Sequence, residues 1–139
     1  MIRFRTIVAD TSGLFSLFSA NDRNHQIAID ESRRIEINND LFLIPSDVIT
    51  ELVNILGKKV GHPQALKRAK QIIGNYEDIV ESTDFRRMHA LQIFSKQKES
   101  VSFTDCIVMA VASEYKTRYI FGFDDAFHKN GYTRLGIDS

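Results

Sequence analysis

The sequence predicts an α/β fold, a three-layer α/β/α sandwich around a mainly parallel sheet of four or five strands. Two observations carry this expectation. Short apolar or β-branched runs, 6–9, 41–44, 76–81 and 119–123, alternate with longer segments of helical period. Strands that alternate with helices imply right-handed crossovers and a sheet covered on both faces. Length supplies a third: 139 residues make one domain, 1–139, able to bury a core without a disulfide or metal staple.

Each element has its own signature. Thr6–Ala9 reads as a buried strand. Asp10, Thr11 and Ser12 follow as good N-cap residues, and Leu14, Phe15 and Phe18 then recur at helical spacing. His25–Ile37 reads as one polar helix anchored by Ile27, Ala28, Ile35 and Ile37. Leu41–Ile44 is a second strand, and Pro45–Ser46 opens a helix reaching about Gly57. Gly61 and Pro63 punctuate before a helix from Gln64 to about Ile73, and Tyr76–Glu81 is read as a third strand. Thr83 and Ser102 cap helices from Asp84 to about Gln97 and from Phe103 to about Lys116. Tyr119–Phe123 is a fourth strand, and Tyr132–Leu135 adds a short edge strand.

Composition excludes several function classes. The lone cysteine, Cys106, rules out an internal disulfide and a cysteine-based zinc cluster, and reads as a small core residue. The apolar run Ile107–Ala112 falls far short of the ~20 residues a membrane span requires. Met1–Ala9 contains no signal-peptide core, so the expected setting is soluble and cytoplasmic. Eighteen basic residues balance 18 acidic ones, leaving no net field toward nucleic acid. Basic pairs such as Arg3 with Arg5 and Lys58 with Lys59 read as solvated faces. His25, His62, His89 and His128 share no metal-binding spacing, and there is no glycine-rich phosphate loop or nucleophile elbow.

The informative residues are carboxylates. Asp10 ends the first strand, where it also serves as a helix cap. Glu51 flanks the stripe of Val48, Leu52, Ile55 and Leu56 in the helix after the second strand. Asp105 stands in the first turn of a helix that is apolar nearly all round, as a cap partner of Ser102 or as a site acid. Asp124 and Asp125 end the fourth strand. A parallel sheet gathers such strand ends along one edge, where ligand sites form. Carboxylates crowded there repel unless a cation neutralises them. Oxygen ligands without His or Cys suit Mg²⁺ or Mn²⁺, and the chemistry that follows is metal-assisted phosphodiester hydrolysis.

Four segments resemble, in order and separation, the motifs of the PIN-domain ribonucleases, the fold of VapC-type toxins. They are Val8–Phe18 (VADTSGLFSLF), Pro45–Leu56 (PSDVITELVNIL), Ser102–Ala112 (SFTDCIVMAVA) and Phe121–Phe127 (FGFDDAF). The resemblance implies that Asp10, Glu51, Asp105 and Asp124 are metal-site acids of a Mg²⁺- or Mn²⁺-dependent endoribonuclease. It also implies that Thr11, Ser12 and Thr104 supply hydrogen bonds to the metal waters or the scissile phosphate. One departure is Gly122, where the family often has threonine or serine. The doubled Asp124–Asp125 leaves the fourth acid open between two neighbours, and the spacing to Phe127 favours Asp124.

The expected function is thus RNA cleavage by the toxin half of a toxin–antitoxin pair. The alternatives are a PIN nuclease of RNA maturation or decay without an antitoxin, or a catalytically silent PIN-like binding module. The resemblance further implies an antitoxin partner, received on an apolar surface near Leu14, Phe15, Leu52 and Ile55, and a homodimer.

Overall fold

In the computed structural model, which describes residues 4–139, five strands form one sheet in the order β3-β2-β1-β4-β5. The strands are β1 (Thr6–Ala9), β2 (Leu41–Pro45), β3 (Ile79–Val80), β4 (Tyr119–Phe121) and β5 (Thr133–Arg134). Every pairing is parallel, with Val8 beside Leu43 on one flank of β1 and beside Ile120 on the other. Seven helices cover the sheet: α1 (Thr11–Phe18), α2 (His25–Ile37), α3 (Ser46–Lys59), α4 (His62–Ile73), α5 (Asp84–Ser95), α6 (Phe103–Glu114) and α7 (Asp125–Lys129).

Strand order decides where a ligand can sit. The chain winds outward from β1 to β2 and β3, then crosses to the far side of β1 for β4 and β5. Connections leave β1 and β4 in opposite directions, so a crevice opens beyond their carboxyl ends. Asp10 follows β1 and Gly122–Asp125 follow β4, so both border that crevice.

The core explains why the sheet is stable. Ile7, Val8, Ala9, Ile120 and Phe121 are buried in the central strands, and α6 lies against them with Cys106–Ala112 entirely buried. A helix apolar on all sides belongs in such a place. Asp10 is held to β4 through its own amide, which donates to the Phe121 carbonyl at 3.0 Å. Among the described residues no helix is long and apolar enough to cross a membrane.

Several expected bounds shift. The segment read as a third strand is a 3₁₀ turn at Tyr76–Asp78 followed by a strand of only Ile79–Val80. Its apolar content is two residues, too little to extend the ladder. Helix α3 runs past Gly57 to Lys59, α4 begins at His62, α5 stops at Ser95 and α6 at Glu114. Strand β4 ends at Phe121 because Gly122 and Phe123 turn toward α7, a helix whose five residues are too few to show a period.

Two surface expectations need correction. Ile37, read as an anchor of α2, is exposed. Leu14 and Leu52, read as part of an open partner surface, are fully packed, and Phe15 and Ile55 are half-buried. The helical spacing that marked them marks a core-facing stripe instead. Exposed apolar residues lie elsewhere, most visibly along the i, i+3 ridge of α5 formed by Phe85, Met88, Leu91 and Phe94. Arg3 of the first basic pair lies outside the described residues.

Gly13 is where α1 meets β4. A Cβ on it would stand 2.2 Å from the Phe121 carbonyl oxygen, a backbone atom that cannot swing away. Glycine to alanine inside a helix ordinarily stabilises by up to ~1 kcal/mol. Gly13→Ala should instead destabilise by about 1–3 kcal/mol through overpacking, read as a lowered midpoint in urea denaturation. An unchanged or raised midpoint would show that α1 does not approach β4 this closely.

Candidate metal centre

Asp10 is the deepest residue of the site. It caps α1: Oδ2 accepts from the Ser12 amide at 3.2 Å and from Ser12 Oγ at 2.7 Å. The Ser12 hydroxyl in turn accepts from the Phe123 amide at 2.9 Å, tying the start of α1 to the chain leaving β4. Oδ1 of Asp10 is buried and has no hydrogen-bond partner. Gly122 lies against this side chain, where a Cβ would come within 2.7 Å of Asp10 Cβ. The departure from the expected motif therefore has a steric reason. A threonine or serine here would displace the acid.

Asp105 enters from α6. Ser102 caps that helix by accepting from the Asp105 amide at 3.0 Å, a bond made by the backbone of Asp105 and not by its carboxylate. Only the Ser102 half of the expected capping box is formed. Asp124 sits at the N-cap position of α7 without a side-chain cap bond. One carboxylate oxygen from each of Asp10, Asp105 and Asp124 lies within 4.8 Å of the others, and burial falls from Asp10 through Asp105 to the exposed Asp124.

The other expected residues stand around this cluster. Glu51 lies on α3 in the wall of the same cleft, outside the tight group of three acids. It sits six residues into its helix, away from the strand end that holds Asp10. Asp125 turns away from the cluster toward Lys129 at 3.2 Å and Arg134 at 3.8 Å. The alternation of neighbouring residues thus separates the doubled aspartates. Thr11 is buried with Oγ1 unpartnered, and Thr104 is half-buried in the first turn of α6. The cleft above the acids has a volume of about 770 Å³.

Crowding shows in the proton affinities. Burial, reinforced by the charge of Asp124, raises the Asp10 carboxyl to about 7 despite its bonds from Ser12. Burial, then the charges of Asp10 and Asp124 and a hydrogen bond to Asp124, raise Asp105 to about 8. Three converging carboxylates, one with an orphaned buried oxygen, fit a hard divalent cation. They lack the nitrogen or sulfur donors that zinc prefers.

A family model for the PIN domain matches residues 7–131. The chain belongs to the PIN-domain family. VapC20 of Mycobacterium tuberculosis, a toxin that cleaves the sarcin–ricin loop, has a similar structure. The TM-score is 0.78 at 20% identity, covering 93% of this chain and 98% of that one. This likeness is one of fold. No curated protein matches the chain in sequence. The sheet, its strand order and the helices on both faces are those of a PIN domain, as the four motifs imply.

Residues that the motifs do not contain also shape the centre. Arg134 on β5 donates to the Phe123 carbonyl at 3.2 Å and pairs with Asp138 through Nε at 2.9 Å, fixing the turn that presents Asp124. This pairing holds the Asp138 carboxyl down at about 2. Sequence reading had no periodic signal for it, since a lone arginine in an edge strand looks like a solvated residue.

The raised pair predicts an unusual stability profile. Without metal, the folded protein holds extra protons on Asp10 and Asp105 between their ordinary value of 3.8 and about 7–8. Their contribution is full below pH ~4 and is lost as pH rises through 8, so stability in chelator should fall across that window. Asp105→Asn should flatten the fall and raise the melting temperature near pH 8 by a few degrees, for about 1 kcal/mol. Saturating Mg²⁺ or Mn²⁺ should stabilise the wild type more as pH rises, because ligation needs the ionised acids. Thermal melts with and without EDTA check all three. A destabilised Asp105→Asn and a metal-indifferent wild type would leave the Asp105 carboxylate only a favourable charge at the start of α6.

Proposed function

We propose that this protein is a Mg²⁺- or Mn²⁺-dependent endoribonuclease and the toxin of a type II toxin–antitoxin pair. The convergence of Asp10, Asp105 and Asp124 within 4.8 Å at the switch point of a PIN domain carries this reading. Asp10, Asp105 and Asp124 would hold the cation. When bound, it supplies Lewis-acid activation of water and stabilises charge on the leaving oxygen.

The chain's own groups set the frame. Ser12 orients Asp10 by donating to Oδ2, which leaves Oδ1 aimed away from that bond. Glu51 reaches the cleft from α3 and acts there as the fourth acid, orienting water beside the tight cluster. Thr11 and Thr104 add hydroxyls next to Asp10 and Asp105. The substrate is RNA, whose backbone phosphate fits a divalent site that keeps open positions.

The toxin assignment draws on the fold shared with VapC20, and with it come a cognate antitoxin, a homodimer and a cytoplasmic setting. The α5 ridge of Phe85, Met88, Leu91 and Phe94 supports self-association, since contiguous exposed apolar patches mark interaction surfaces.

Cleavage of labelled single-stranded RNA is the direct test. Activity should require Mg²⁺ or Mn²⁺ and vanish in EDTA. Asp10→Asn and Asp124→Asn should each lower the rate about 100-fold or more, because an amide cannot supply the charge the site needs. Asp125→Asn, already paired with Lys129 and Arg134, should keep most of it. Cleavage that persists in chelator would refute the metal mechanism, and loss at Asp125 rather than Asp124 would shift the motif by one residue.

Expression in the native host tests the toxin role. Growth should arrest, and co-expression of the neighbouring small gene should relieve it. Harmless expression of a protein that cleaves RNA in vitro would mark a nuclease of RNA maturation or decay.

A further inference from the structure

The cleft that holds Glu51, Asp105 and Asp124 is also lined by the loop 96–102 between α5 and α6, which carries Lys96 and Lys98. Both lysines are exposed, and neither ion-pairs with any carboxylate of the described residues. Lys129 also lines the cleft, but it is engaged by Glu99 at 2.9 Å and by Asp125 at 3.2 Å.

The loop is tethered on both sides of Lys98. Gln97 Nε2 donates to Asn130 Oδ1 at 3.1 Å, while Asn130 Nδ2 donates back to Gln97 Oε1 at 3.0 Å. Each member is anchored further, Gln97 to the Ile93 carbonyl at 3.0 Å and Asn130 to the Ala126 carbonyl at 2.8 Å. Glu99 grips Lys129 on the other side. The cross-links reach the end of α5 and α7, whose N-cap is Asp124. A loop rich in lysine and serine would otherwise be free to move, and these bonds hold it at the cleft that contains the acids.

We propose that the braced 96–102 loop is a phosphate-binding rail, on which Lys96 and Lys98 hold the backbone of single-stranded RNA beside the acid cluster. The proposal takes its substrate from the ribonuclease reading. A polyanion cannot lie along three carboxylates, even with one cation, without positive charge next to them. The net charge of zero means the whole molecule supplies no attraction. Two unpaired ammonium groups on the loop that lines the same cleft provide it locally, and Gln97–Asn130 is a positioning pair that keeps them there.

Binding and turnover separate this from the ribonuclease reading. Anisotropy of a labelled mixed-sequence RNA is followed against salt with Asp10→Asn protein, so that the RNA survives. Lys96→Ala and Lys98→Ala should each lower the slope of log K against log salt by about 0.7, the value for one phosphate on a single strand. Affinity should fall roughly threefold for each and about tenfold for both, equally across sequences, while Lys98→Arg restores it. In the otherwise wild-type protein the same changes should raise KM and spare kcat, because they remove binding common to ground and transition states. Gln97→Ala should raise KM less than the lysine pair does, and adding Asn130→Ala should cost nothing more, since one bond pair is lost once.

Unchanged salt slopes in both lysine variants would overturn the proposal. So would a lysine effect seen only as a shift in metal-free melting temperature, which would make these side chains counter-charges for the acids. Failure of the ribonuclease reading looks different: a wild type that cleaves no RNA with Mg²⁺ or Mn²⁺. The binding slopes then still decide whether the loop holds RNA.

Discussion

Asp10 has 1% of its surface exposed, at the end of the central strand of a parallel sheet. An ionised carboxylate there loses most of its hydration, and Asp124 adds repulsion. In isolation such a group would take a proton, since desolvation favours its neutral form. The local structure reads as a set of devices for keeping this acid in place. Ser12 donates twice to one oxygen, the amide of Asp10 is pinned to β4, and Gly122 has no side chain to push it out. Each device serves the position of Asp10, and none neutralises Oδ1. That remaining deficit is what a cation or a proton must fill.

Capping and site chemistry are not rivals in this fold. Asp10 caps α1, and Asp105 stands in the first turn of α6, so both acids lie at helix N-termini. The partial positive charge of those ends favours nearby carboxylates, by ~0.3–1 kcal/mol where exposed and more where partly buried. A parallel sheet sends a helix away from each strand's carboxyl end, so helix starts and strand ends collect on one edge. The architecture that crowds the acids therefore also brings dipoles that soften their repulsion. The offset is partial, as the raised proton affinities of Asp10 and Asp105 show.

Much of this was legible in the sequence, for identifiable reasons. β1 and β4 carry compact apolar runs, and α6 is apolar on all sides, so their burial follows from residue type alone. The caps at Asp10, Thr83 and Ser102 are side-chain chemistry acting within three residues, which a single sequence contains in full. What escaped depends on distant partners. β3 is two residues long and exists because β2 offers it a ladder, while α7 is a single short turn. The stripe containing Leu14 and Leu52 has the spacing of a face, and spacing does not say whether that face meets solvent or core. Glu51 was expected among the metal-site acids, and it lines the cleft outside the tight cluster of three because it sits six residues into α3 rather than at a strand end or helix start. The role of Gly122 was illegible because a glycine displays only an absence, and the absence matters through the Asp10 side chain beside it.

Rigid and adaptable parts of the cleft divide along the same line. The acids project from strand ends and helix starts whose backbone is fixed by the sheet, so their mutual distances are set by the core. The loop 96–102 has no apolar packing of its own beyond the half-buried Val101, and it is held by side-chain bonds such as Gln97 to Asn130. Bonds of this kind on the surface contribute little to global stability but restrict where a loop can go. A chain of balanced charge has no overall field for a polyanion, so in the proposed phosphate rail the attraction sits on the loop itself. Placing it on a loop lets its charge and length change without disturbing the core that sets the acids apart. The fold thus fixes the spacing of the acids, and the loop fixes the charge beside them.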